Sequence, residues 1–436
     1  MIKFIKKSIL KKLFVTIGIL AVYRMAMLVV IPGVDLDGIP QLSNKSSFLG
    51  TLNVFSGGSL DQCSILATNI MPYITATIVT QLFSSKSIGI DYFQKLKKDK
   101  ELGDAKKNEW TQYFTVIVSL INAVYISTTL FHTYKDGASI IFFSKALFYS
   151  LSIPAMVAGS MFVVWLANQI SKYGIGQGTS VIIFANIISN SASNFNKIFE
   201  LYKSGTLSIN NAILIILFFS ILFFVVVFME SCTIFLPVKY AGITGKQAEQ
   251  KMPLKINNAG VMPAVLASSF SHFPMILVGL FEKFNLQTET VTKYASYFSQ
   301  SSSFYYIISA ILIFLFTITQ SEISFDPQEI SHNLQESGAV IRDVRPGADT
   351  YLKLKGILSK LNFLSGLYLA FVCVLSEYFC FYINQSVGEK ILQLSGTGVL
   401  ILVSTSKLIF DGMKNYNYME ILKTMISSKD KSLLKE

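Results

Sequence analysis

Side chains able to do chemistry are few in this chain and far apart. Its three histidines, His132, His272 and His332, lie on different segments, and no His, Cys or carboxylate cluster has metal-site spacing. Of its four cysteines, Cys373 and Cys380 are seven residues apart and share one helix face, where they read as small packing residues. Cys63 and Cys232 have no local partner. Gly174-Ile175-Gly176-Gln177-Gly178-Thr179-Ser180 has the glycine density of a phosphate cradle. It lacks a preceding strand and the P-loop lysine, so a tight turn between helices is the better reading. The expectation is therefore no catalytic residue, no metal and no cofactor. Charges inside apolar stretches are few and include Arg24, Glu377, Lys407 and, near a helix end, Glu230. Ion-coupled transporters place several ionisable groups at mid-membrane, so this scarcity argues against a proton- or sodium-driven pump. The same stretches are rich in Ile, Val, Thr, Ser and Asn, which suits a pore gated by dewetting at bulky aliphatics.

The elements that must position these residues follow from composition. The 436 residues are 52% hydrophobic and 14% charged, with a mean hydropathy of +0.51. Soluble domains carry about 25% charged residues, so a soluble multidomain enzyme and a disordered chain are both excluded. Four cysteines in this length exclude a disulfide scaffold. What remains is an all-α membrane protein. Ten stretches are long and apolar enough to span a bilayer: 13–31, 64–83, 111–133, 146–170, 179–196, 209–230, 258–281, 303–321, 361–383 and 392–412. The first follows Met1-Ile2-Lys3-Phe4-Ile5-Lys6-Lys7 like a signal peptide. Its apolar run is too long and ends in Ile31-Pro32-Gly33 rather than a small-residue cleavage site, so it is a first span. With the N-terminus in the cytosol, cytosolic segments hold 27 Lys and Arg and outer loops hold 8. The positive-inside tendency then places both termini in the cytosol.

Ten spans divide into halves of five, residues 1–205 and 206–412, followed by a cytosolic tail, 413–436. An odd number of spans per half forces the second half to run opposite to the first, so any repeat has inverted topology. The second span of each half carries Met-Pro, at Met71-Pro72 and Met262-Pro263, behind Asn69 and Asn258. Proline inside a helix kinks it, and paired kinks point to a functional seam. Ahead of span 2, Thr51 to Cys63 is half apolar and broken by Gly57-Gly58. It fits either a half-helix entering the bilayer inside the protein or a surface loop with a helical turn. Loops 84–110, 231–257 and 322–360 are long for plain connections and would be where soluble partners dock.

The ordered motifs then resemble a family. Phe55-Ser56-Gly57-Gly58-Ser59-Leu60, followed by Ile70-Met71-Pro72-Tyr73-Ile74-Thr75-Ala76, resembles the plug and second helix of the SecY family, channel subunits of the bacterial protein translocon. Gly174 to Ala185 resembles its fifth helix, Pro253 to Pro263 its seventh, Ser337-Gly338-Ala339 with Val344-Arg345-Pro346-Gly347 its 8–9 loop, and Gly396 to Ile401 its tenth helix. These matches are collinear from about residue 14 to residue 412.

The resemblance implies two inverted five-helix halves around a central pore that conducts unfolded polypeptides across the membrane and releases apolar segments sideways into lipid. It implies a pore ring at Ile70, Ile74, Ile183, Val265 and Ile401, all β-branched and stiff at χ1. It implies a plug over about 53–66, including Asn53, Phe55, Gly57, Gly58 and Leu60. It implies a lateral gate with polar positions at Gln81 and Asn257, and cytosolic docking at Arg345. The implied partners are SecE, SecG, the SecA motor, the ribosome, YidC, unfolded secretory and membrane polypeptides, and lipid. The implied location is a bacterial inner membrane. Two positions depart from the family. The stretch Ser231 to Pro237 has none of the arginines usual after helix 6, which leaves docking there to Lys239, Lys246 and Lys251. Gln328 stands where the 8–9 loop usually begins with Arg. The rival reading, a secondary transporter with broken helices, shares the spans and the inverted repeat, but requires a polar midplane site that the Ile/Val ring does not offer.

Overall fold

An apolar stretch that crosses a bilayer satisfies its backbone only as a helix, unless protein wraps it. The computed structural model describes residues 2–34, 56–84, 93, 100–135, 143–205, 208–240, 249–267, 270, 302–342, 344–387 and 397–412. Helices are α1 (Ile2–Ala26), α2 (Met71–Phe83), α3 (Lys100–Lys135), α4 (Lys145–Tyr173), α5 (Gly178–Lys203) and α6 (Ile209–Ser231). They continue as α7 (262–267), α8 (Ser303–Ser324), α9 (Pro327–Glu336), α10 (Ala348–Val387) and α11 (397–412). Among the described residues, five helical stretches are long and apolar enough to cross a membrane; they lie on α3, α4, α6, α8–α9 and α10. α6 exposes large apolar side chains: Phe224 is 74% exposed and Phe228 68%. Such a surface is stable only against other apolar matter.

Helix contacts inside the bilayer cannot rely on the hydrophobic effect, so small and hydroxylated residues join them. Thr111 Oγ1 donates to Thr80 Oγ1 at 3.2 Å, joining α3 to α2. The Ser127 and Ser152 hydroxyls, 3.0 Å apart, join α3 to α4. The glycine-dense segment is the expected tight turn between α4 and α5. Gly176 takes φ +77°, and the Ile175 N–H donates to Thr16 Oγ1 of α1 at 3.0 Å. At Gly178 a Cβ would lie 1.8 Å from the Ala167 carbonyl oxygen, so only glycine lets α5 start against the backbone of α4.

The chain divides into two compact units, Met1–Phe195 with Thr405–Glu436, and Asn196–Ser404. The divisions fall inside helices for local reasons. The end of α5 belongs to the second unit because Ile198 packs with Ile215 of α6 and with Cys380 and Ile383 of α10. The end of α11 belongs to the first, where Ile409 lies against the Gly176 turn. The second unit is centred on Leu222 and Val226 of α6, Ala264 and Ala267 of α7, Ile313 of α8, Leu369, Val372 and Cys373 of α10, and Leu400 and Val403 of α11.

Three sequence readings change. Of the segment Thr51 to Cys63, residues 51–55 lie outside the described residues and Ser56 is helical, while residues 57–70 form a chain of turns that is mostly buried, with Gln62 exposed. Left-handed φ at Gly57, Gly58, Cys63 and Asn69 breaks any helix there. Neither Met-Pro pair kinks a helix. Pro72 and Pro263 instead stand in the opening turns of α2 and α7, where a missing N–H costs nothing. Finally, loops 231–257 and 322–360, where no strand is expected, hold a sheet of order β2-β1-β3, all antiparallel: β1 (Thr233–Tyr240), β2 (Glu249–Lys255) and β3 (Ala339–Ile341). Val238, Ala339 and Ile341 of this sheet pack on Leu354 of α10, with Ile330 and Leu334 of α9 alongside.

Gly178→Val is expected to lower the melting temperature of the detergent-solubilised protein by several degrees, because the clash is with backbone and costs about 2 kcal/mol or more. An unchanged melt would show that α4 and α5 do not meet there.

Candidate functional site

The buried turns at 56–70 are held on three sides by the first unit. Against the end of α1, Val30 and Ser64 form an antiparallel bridge, with Ile31 N–H donating to Cys63 O at 2.8 Å and Ile65 N–H to Val29 O at 2.9 Å. Against α4, a Cβ on Gly159 would sit 2.4 Å from Ile65 O, and Thr68 shares a hydrogen bond with Ser160. Against α5, a Cβ on Gly57 would sit 2.7 Å from Asn186 Oδ1. Within the segment, Ser59 Oγ donates to Leu66 O at 3.0 Å, and Leu66 N–H donates to Ser64 Oγ at 3.1 Å.

Asn69 closes the segment. Its φ is +49°, a conformation that asparagine tolerates better than most residues. Its Oδ1 accepts from Ile70 N–H at 2.8 Å, and its Nδ2 donates to Ser56 O at 3.1 Å and to the Tyr23 hydroxyl. The Tyr23 hydroxyl in turn donates to Asn186 Oδ1 at 2.8 Å. All three side chains are buried: Tyr23, Asn69 and Asn186 are each 0% exposed. Beside them, Arg24 Nη2 donates to the Ala185 carbonyl at 2.7 Å, so α1 grips α5 twice.

The expected ring residues are buried in both units. In the first, Ile70 caps the start of α2, Ile74 lies one turn on, and Ile183 is on α5. Ile187 is four residues beyond Ile183, on the same face, and is equally buried. In the second, Val265 is buried on α7 and Ile401 on α11. Of the expected plug residues, Gly57 and Leu60 are buried and Gly58 is half-buried, while Asn53 and Phe55 lie outside the described residues.

Of the two expected gate positions, Gln81 is half-buried on α2. Asn257 is a buried hub of the second unit. Its Nδ2 donates to Glu230 Oε1 at 2.7 Å and to Gly260 O at 3.1 Å. Its Oδ1 accepts from Gly260 N–H at 3.0 Å and from Ser365 Oγ at 3.1 Å. One amide thus ties the end of α6, the turn before α7, and α10. The expected docking residues Lys239 and Lys251 are exposed on neighbouring strands, β1 and β2, and Lys246 lies outside the described residues. Arg345 is exposed on a loop that Ser331 and Thr350 hold by hydrogen bonds to the Gly347 and Arg345 carbonyls, at 2.9 and 2.8 Å.

Sequence reasoning missed Tyr23 and Asn186. The available signal was a hydroxyl and an amide at mid-span, because such groups in lipid need partners.

Comparison with known proteins comes to the same place. The SecY family profile matches residues 64–409. The protein translocase subunit SecY of Rickettsia typhi is 33% identical over 99% of this chain and 98% of its own. Among solved structures, the fold resembles a SecY protein whose plug domain stabilises the closed state of the translocation channel and maintains a membrane seal; the TM-score is 0.61 at 20% identity, over 94% of this chain and 92% of that one. It also resembles Sec61 in a canine ribosome–channel complex from the endoplasmic reticulum, with a TM-score of 0.62 at 18% identity over the same shares.

Asn257→Ala leaves the buried Glu230 carboxylate without its amide donor. Leaving a buried acceptor one hydrogen-bond donor short costs about 1–3 kcal/mol. The variant is therefore expected to melt well below the parent, and adding Glu230→Gln should recover most of the loss. A double variant no more stable than Asn257→Ala would show that the carboxylate is not what the amide serves.

Proposed function

We propose that this chain, which belongs to the SecY family, is the pore-forming subunit of a protein translocase in a bacterial inner membrane, with the turns at 56–70 as part of its plug. The protein is a membrane channel for polypeptides. The buried turn segment is the single observation that carries this reading, since a solute carrier has no use for a wrapped, non-helical stopper. In this reading Ile70, Ile74, Ile183, Val265 and Ile401 form the waist, and Ile187 extends it by one turn. Branched aliphatic side chains leave no donor or acceptor for a passing chain to bind, so any sequence slides. They also make a short apolar throat from which water withdraws, so ions do not follow. Gln81 and Asn257 belong to the seam through which apolar segments pass into lipid.

The driving energy comes from partners, because a ring of aliphatics does no chemical work. The Lys and Arg of the cytosolic segments, 27 against 8 in the outer loops, support cytosolic termini and a cytosolic docking face. On that face Lys239, Lys246, Lys251 and Arg345 meet the ribosome or the SecA motor. SecE and SecG complete the membrane complex, and YidC takes membrane segments onward. β1, β2 and β3 give Lys239, Lys251 and Arg345 a folded platform, which offsets the lack of arginines after α6.

The decisive test is a crosslink. Ile74→Cys is placed in an otherwise cysteine-free chain, and a secretory polypeptide with one cysteine is stalled midway. A crosslink that requires the stalled chain is expected. Its absence, with the complex assembled, would return a solute carrier to the front. A second test is Arg345→Glu, which is expected to reduce export at least tenfold while insertion and abundance stay normal. Unchanged export would remove Arg345 from docking.

A further inference from the structure

We infer that Tyr23, Asn69 and Asn186 form a polar latch that holds the plug shut, an inference that rests on the channel reading above. The three groups lie in series. The Asn69 amide staples the two ends of the turn segment together through Ser56 O, and hands the Tyr23 hydroxyl a proton to accept. Tyr23 directs its own proton to Asn186 Oδ1 on α5. The side chain of Asn186 is at the same time the surface on which Gly57 rests. The Tyr23 hydroxyl therefore joins the closing residue of the plug to the helix beneath it.

Position in the chain makes this more than packing. Asn69 is followed at once by Ile70, and Asn186 stands between Ile183 and Ile187. Displacing the plug must undo the Asn69 and Gly57 contacts, and both contacts border residues of the waist. The chemistry also suits a part that moves. A hydrogen bond has a small net value when water replaces the lost partner, but a large one when nothing does. Asn69 carried out with the plug is rehydrated, so opening is reversible. An Asn69 that stays in place without Tyr23's hydroxyl is a buried amide short of a partner, so the closed state is the one weakened. An apolar latch of equal strength would lack this asymmetry. The left-handed backbone at Asn69 adds to it, since that geometry persists only while its surroundings hold it.

The natural cysteines provide the readout. Cys63 lies inside the plug segment at 1% exposure, whereas Cys373 and Cys380 lie in the second unit, at 0% and 8%. Half-buried Cys232 is removed by Cys232→Ser. The assembled complex is reconstituted in vesicles and treated with a small maleimide, and each thiol is followed by mass spectrometry alongside resting ion leak. Tyr23→Phe keeps the ring and removes only the hydroxyl. Asn69→Gly keeps the left-handed backbone and removes only the amide. Each is expected to raise both leak and Cys63 labelling about tenfold, a change equivalent to ~1.4 kcal/mol, with Cys373 and Cys380 unmoved. Deletion of residues 57–67 marks the fully open limit. Labelling of Cys63 and leak at the parent's level in both variants would overturn the latch. So would a parallel rise at Cys373 and Cys380, which would mean general loosening. If the deletion itself does not leak, the channel reading fails and the latch with it. A variant that does not accumulate is replaced by Asn186→Ala, judged by the same ratio of Cys63 to Cys373.

Discussion

Inside a bilayer no water reaches a bare N–H or C=O, so a non-helical stretch at that depth exists only if protein satisfies every group in it. The turns from Ser56 to Ile70 impose this constraint on everything around them. Their donors and acceptors are met by an antiparallel bridge with Val30, by serine hydroxyls within the segment, and by the two ends of the Asn69 amide. Glycines at 57 and 159 let α5 and α4 approach close enough to seal it. The first unit is, in effect, a wrapping for a segment that could not otherwise be there. A sealed but non-covalent wrapping is also what a removable stopper requires.

The second unit solves a related problem with the same side chain type. Beyond α6 the backbone leaves the helix, forms β1 and β2, and returns through Asn257 to α7. There Asn257 uses both faces of its amide on Gly260 backbone groups while reaching Glu230 and Ser365. In both halves an asparagine thus stands where chain re-enters helix ahead of a Met-Pro pair. Asparagine suits the place because one short side chain carries both a donor and an acceptor, and can mimic a backbone turn. Proline follows soon after because an N–H in the first helical turn has no intrahelical acceptor in any case.

How legible this was in the sequence depended on the range of the interaction. Spans are local runs of apolar residues, so α3, α4, α6, α8 and α10 contain the stretches that composition marked. The Gly174–Gly178 turn was legible because glycine spacing is local as well. The strands were not. Thr233 to Tyr240 carries Pro237 and flanks a membrane helix, and its partner β3 lies about a hundred residues away in sequence. Met-Pro reads as a kink because the pattern marks proline but not where the helix begins. Tyr23 and Asn186 are separated by 163 residues, and nothing local marks either as the partner of the other. The ring positions came from resemblance, since burial cannot distinguish a pore-facing Ile from a packed one.

That last ambiguity has a physical root. A closed waist of Ile and Val is as buried as a core, so in the resting state the two look alike. What separates them is the energetics of opening. A core residue that loses its neighbours exposes apolar surface to water at about 25 cal/mol per Å², and nothing returns that loss. A waist residue loses its neighbours only when a polypeptide takes their place, and the passing chain covers the same surface. An aliphatic ring therefore needs little net energy to stay open around a substrate, and far more to stay open without one. Directional, water-exchangeable bonds elsewhere then have a distinct role. They set the threshold for the first opening, which the ring cannot do because it responds only to a chain already inside it. Buried amides at Asn69 and Asn186, beside the residues assigned to the waist, are suitably placed to set that threshold.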